Sequence, residues 1–124
     1  MKIILGKPDP DLASKYLVLE LDTIKVEPNI EPVTAYCVID GSHIYLDEMA
    51  EVERYAAMHQ TLMENYRQKK WNFCEQAIQE LTGKFRGEMD SFYKILLERI
   101  CTYKKNDPGP AWCGILEVDS ANYV

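Results

Sequence analysis

One change of hydropathic period limits what this chain can fold into. From Leu17 onward the apolar residues first occupy alternate places: Leu17, Leu19 and Leu21 share one side of an extended chain. After Asp47 they recur three and four places apart, at Met49, Val52, Ala56, His59, Met63 and Tyr66. A period of two is that of a half-buried strand, and a period near 3.6 is that of an amphipathic helix. A chain that changes once from the first to the second is α+β, with the strands gathered at one end and the helices at the other.

Within the first part, Tyr16–Val26 reads as a strand whose apolar residues move from odd to even positions near Thr23, the mark of a bulge or a change of partner. Glu27-Pro28-Asn29-Ile30-Glu31-Pro32 is a turn between two prolines. Val33–Ile39, rich in β-branched and aromatic residues, is a second strand that Asp40-Gly41 ends. Together they are expected to form an antiparallel hairpin. Ile3-Ile4-Leu5 is allowed as a third short strand, and the Pro/Asp cluster from Gly6 to Asp11 as a turn that opens at most one helical turn.

In the second part, Asp47 is the expected N-cap of a helix reaching about Lys69. Trp71, Cys74, Ala77, Ile78 and Leu81 mark a second helix, ended by Gly83. A third runs from about Met89 to Lys104, with Asp90 as its expected cap. Asn106-Asp107-Pro108-Gly109-Pro110 cannot continue it, and Gly114–Val118 is a candidate final strand. The expected organisation is one domain over 1–124: a β-rich segment 1–45, packed on a three-helix tail 46–124 of tetratricopeptide-like shape.

The 124 residues carry a net charge of −6. The nearest approach to a basic run is Arg67-Gln68-Lys69-Lys70, read as a solvated helix end that complements the helix dipole. Nucleic acid and anionic membrane are therefore not expected as partners. No apolar run is long enough to span a bilayer, and the early Gly6 and Pro8 break the apolar start before it resembles a signal peptide. A cytoplasmic location is expected.

Cys37, Cys74, Cys101 and Cys113 form no Cys-x-x-Cys pair and lie in largely apolar surroundings, so they read as reduced thiols rather than metal ligands. His43 falls in a polar loop, while His59 lies on the apolar stripe of the first helix, where a buried, hydrogen-bonded imidazole is expected. A Cys37–His43 dyad lacks a nameable orienting group. Asp9 and Asp11 flank Pro10 and suit a turn better than a metal site. The eight tyrosines fit either amphipathic core edges or an interface belt.

Two segments carry a family resemblance. The first is Leu19-Glu20-Leu21-Asp22-Thr23-Ile24-Lys25-Val26 followed by Glu31-Pro32-Val33-Thr34-Ala35-Tyr36. The second is a tail with Tyr66-Arg67, Trp71, Glu98-Arg99 and Trp112-Cys113-Gly114. In this order and spacing they resemble the C-terminal end of bacterial class III adenylate/guanylate cyclases, over roughly residues 16–114: the last hairpin of the catalytic domain and a helical extension. Two departures stand out. Glu27-Pro28 occupies the place of a Lys-Gly turn, and Cys113 that of an Asp. The family's metal-binding aspartates, and the Asn and Arg that stabilise its transition state, lie upstream of this hairpin. The resemblance therefore implies no catalytic, cofactor-binding or metal-binding residue in this chain.

The residues agree, since phosphoryl-type chemistry needs metal-holding carboxylates and a phosphate cradle, and the six glycines are dispersed. The expected function is a non-enzymatic oligomerisation or protein-interaction module. A two-stranded hairpin is marginal alone, so a homo-oligomer built through the hairpin is expected, with a protein partner as the further option. The alternative is the C-terminal fragment of a cyclase, active only with its missing catalytic core. A small-molecule sensor with an aromatic pocket is a third reading, without a convergent set of polar groups to support it.

Overall fold

The computed structural model describes residues 2–25, 31–40, 49–110, 112 and 114–117. Among these residues there are a four-stranded sheet and four helices, in the order β1 (Lys2–Leu5), α1 (Pro10–Lys15), β2 (Tyr16–Lys25), β3 (Val33–Asp40), α2 (Met49–Arg67), α3 (Trp71–Leu81), α4 (Asp90–Lys105) and β4 (Ile115–Glu117). The chain is thus α+β. Its elements form two compact units. One holds β1, α1, β2, β3 and β4, and the other holds α2, α3 and α4.

In the first unit the strand order is β1-β3-β2-β4. β3 pairs antiparallel with both β1 and β2, while β4 runs parallel to β2, with Thr23 opposite Ile115 and Lys25 opposite Glu117. The sheet is therefore larger than a hairpin with one optional extra strand. β4, the candidate final strand within Gly114–Val118, makes the difference: it joins the sheet by parallel pairing with β2, across most of the chain length. Between Glu20 and Thr23 the β2–β3 register shifts. Glu20 faces Tyr36 and Thr23 faces Thr34, so β2 carries one extra residue there. The shift lies where the apolar residues change side, and Leu21, Asp22 and Ile24 are all buried around it.

α1, six residues long, extends the single helical turn expected at the Pro/Asp cluster. Asp9 caps it by accepting a hydrogen bond from the Asp11 backbone N–H at 2.9 Å, and Pro10 supplies the fixed φ that suits a first helical turn. The two carboxylates flanking Pro10 thus start a helix.

In the second unit each helix buries one stripe: Val52, His59, Leu62, Met63 and Tyr66 on α2; Cys74, Ala77, Ile78 and Leu81 on α3; Phe92, Tyr93, Leu96 and Ile100 on α4. Each large apolar side chain withdrawn from water contributes about 1.5–3 kcal/mol. Phe85 and Met89, in the link between α3 and α4, are buried too. α3 ends at Thr82, and Gly83 takes φ +85°, a left-handed conformation that costs glycine nothing. The Gly83 N–H then donates to Asp90 Oδ1 at 2.7 Å. Asp90, the expected cap of α4, does not cap it. Met89 holds the cap position without a side-chain hydrogen bond, and the Asp90 carboxylate ties the incoming turn instead. The expected cap Asp47, the turn at 27–30 and the Gly41 turn lie outside the described residues.

Candidate functional site

Among the described residues, the histidine and cysteines singled out in the sequence lie apart from one another or within the core. His59 is 1% exposed, and its Nδ1 lies 2.8 Å from the hydroxyl of Tyr93, itself 1% exposed. Its ring leans on Phe92 and Tyr93, with centroids 6.3 and 5.7 Å away. The pair spans 34 residues and joins α2 to α4 inside the helical unit. Among the described residues, Cys37 and Cys74 are buried thiols outside any disulfide, and Cys101 is an exposed one. Burial raises the Cys74 pKa to about 11, so it stays a neutral thiol near neutrality. His43 and Cys113 lie outside the described residues. Among the described residues, no three His, Cys, Asp or Glu side chains gather as a metal set.

What does converge is the tail's aromatic set. Tyr66 ends the buried stripe of α2, Trp71 opens α3, Tyr103 lies near the end of α4, and Trp112 follows the Pro-Gly-Pro loop. Their rings pack edge to face or tilted. Centroids are 5.2 Å apart for Tyr66–Trp112 and Tyr103–Trp112, 5.6 Å for Trp71–Trp112 and Trp71–Tyr103, and 5.9 Å for Tyr66–Trp71. These are favoured geometries for ring quadrupoles. Arg99 Nη1 lies 3.4 Å from the Tyr66 hydroxyl. Tyr66, Trp71, Arg99 and Trp112, chosen from the sequence as scattered tail motifs, therefore form one cluster.

A latch holds Trp112 there. Lys69, in the three-residue turn between α2 and α3, adopts φ +61°. Its Nζ donates to Asp107 Oδ1 at 2.9 Å and to the carbonyl oxygen of Gly109. Asp107 also accepts from the Gly109 N–H at 2.8 Å, an Asx-type turn, and the Trp112 N–H donates to the Gly109 carbonyl at 3.3 Å. The hydrogen bond from Lys69, then that from the Gly109 backbone, holds the Asp107 carboxyl below its usual pKa. The turn was legible as Asp-Pro-Gly; the lysine that closes it 38 residues away was not.

Beside this latch lies an open groove of about 590 Å³, lined by Lys70, Trp71, Phe73, Tyr103, Lys104 and Asp107 among others. Lys104 Nζ lies 2.9 Å from Glu75 Oε1 and 3.4 Å from Asn72 Oδ1. Phe73 is 41% exposed; among the described residues Leu5 is the other large apolar side chain so exposed. Phe73 was not anticipated, because on the helical wheel it falls outside the buried stripe of α3. The basic run read as a solvated helix end supplies two of the groove's lysines.

No helix among the described residues is long and apolar enough to cross a membrane. Comparisons of the chain with protein families, with curated proteins and with solved structures find no match.

Proposed function

We propose that this chain is a non-catalytic interaction module whose helical unit, a tetratricopeptide-like helix pair with a third helix, displays a docking surface. The resemblance to the C-terminal end of class III nucleotide cyclases points the same way. One observation carries the reading: the tail's aromatic rings pack on one another and are locked by the Lys69–Asp107 latch, while lysines and Phe73 beside them stay on the surface. Interfaces are centred on well-packed aromatic anchors with a polar rim around them.

The sheet supports a second part of the proposal, self-association through the hairpin. β4 covers β2 only over Thr23–Lys25. Along Tyr16–Asp22 no strand lies on that side of β2 among the described residues, and an open strand edge is a template for another. Sedimentation velocity across a concentration series tests this. A mass of two or more copies is expected; a monomer on the order of tens of micromolar, unfolding cooperatively, removes the self-association.

A further inference from the structure

The amino end of α3 departs from the electrostatic pattern of a stable helix. The positive end of a helix dipole favours an acidic first turn and a side-chain acceptor at the cap. Here the cap is Lys70, which offers no acceptor, and the first turn contains no acidic residue. Lys69 precedes it, and Lys104 reaches the same groove from α4. Two of these charges are answered within the chain, Lys69 by Asp107 and Lys104 by Glu75. Those carboxylates leave the charge of Lys70 and the helix end uncompensated, and a Lys104 ammonium has three donors. Local rules broken on a surface that also exposes Phe73 mark a place shaped for something outside the fold.

We propose that this groove binds an acidic protein segment bearing an apolar side chain. Its carboxylates meet Lys70, Lys104 and the first amides of α3, and its apolar side chain lies against Phe73 and Trp71. The groove's lining holds three lysines against one aspartate in a chain whose overall net charge is −6, and that local basic surplus selects an acidic partner by charge complementarity. The openness of the groove selects an extended segment over a small metabolite, because small-molecule sites enclose most of their ligand. This rests on the reading of the chain as an interaction module and names the class of its partner.

The test is fluorescence anisotropy with a short fluorescein-labelled peptide of Asp and Glu around one Phe, added to the full chain. Saturable binding is expected, weakening as ionic strength rises toward about 1 M, where screening acts within ~3 Å. K70E/K104E is expected to weaken it at least about tenfold, and F73A about fivefold. K84E, reversing an exposed lysine that does not line the groove, leaves it unchanged. Circular dichroism verifies that each variant folds. No saturable binding, or binding indifferent to both groove variants, overturns the proposal. So does displacement of the peptide by inorganic phosphate at equal concentration, which assigns the groove to a small anion. Capture by phosphatidylserine vesicles without peptide binding also overturns it, in favour of a lipid surface. Self-association and the absence of turnover do not involve these side chains, so their loss is read separately.

Discussion

Removing one hydroxyl tests how the helical unit is held together. Tyr93→Phe keeps the ring that packs on His59 and Phe92 and deletes only the group 2.8 Å from His59 Nδ1. Because both residues are 1% exposed, water does not easily replace the lost partner. An orphaned buried polar group costs about 1–3 kcal/mol. With a urea m-value of about 2 kcal/mol per M, a loss of about 2 kcal/mol lowers the unfolding midpoint by about 1 M. Trp71 and Trp112, the only two tryptophans, both lie in the helical unit, so their emission follows its unfolding. A double-mutant cycle supplies the control. In a His59→Leu background the imidazole is gone, and Tyr93→Phe there should cost less than about 0.5 kcal/mol. If the single variant unfolds within about 0.3 kcal/mol of the parent, or costs as much in the His59→Leu background, the hydrogen bond does not join α2 to α4 energetically.

Trp112→Ala removes the ring shared by Tyr66, Trp71 and Tyr103; for a half-buried tryptophan a loss of about 2–3 kcal/mol is expected in the same urea titration. The latch is pH-dependent with a definite sign. Asp107 has its pKa lowered from 3.8, so its contribution is fully present above about pH 4 and fades as the pH falls through the lowered value. The difference in tryptophan emission between parent and Asp107→Asn should therefore be present at neutral pH and vanish in acid; a difference that persists in strong acid contradicts the latch. Peptide mapping after brief iodoacetamide treatment near pH 8 should find Cys101 modified and Cys37 and Cys74 protected until urea is added, since Cys74 is buried with a pKa near 11.

The single change of hydropathic period was enough to read the α+β class, because strand and helix periods belong to local sequence. The stripes of α3 and α4 were legible for the same reason: Cys74, Ala77, Ile78 and Leu81 follow helical spacing. β4 was legible as a candidate strand within Gly114–Val118, but its place in the sheet was not, because Ile115 pairs with Thr23 across almost the whole chain and no local pattern encodes that partner. Asp90 shows a different limit. Its position fitted a cap, yet its carboxylate is engaged by the Gly83 N–H, a choice made by the geometry of the α3–α4 turn. At the candidate site the aromatic residues were visible one by one. Their meeting depends on Lys69 reaching Asp107, a tertiary contact between two turns.

The claim that this chain binds rather than transforms is tested most directly by incubating the purified protein with ATP or GTP and manganese and quantifying cyclic nucleotides by mass spectrometry. The account predicts a yield equal to the protein-free blank at every protein concentration. Production that grows linearly with time and with the amount of protein would contradict it.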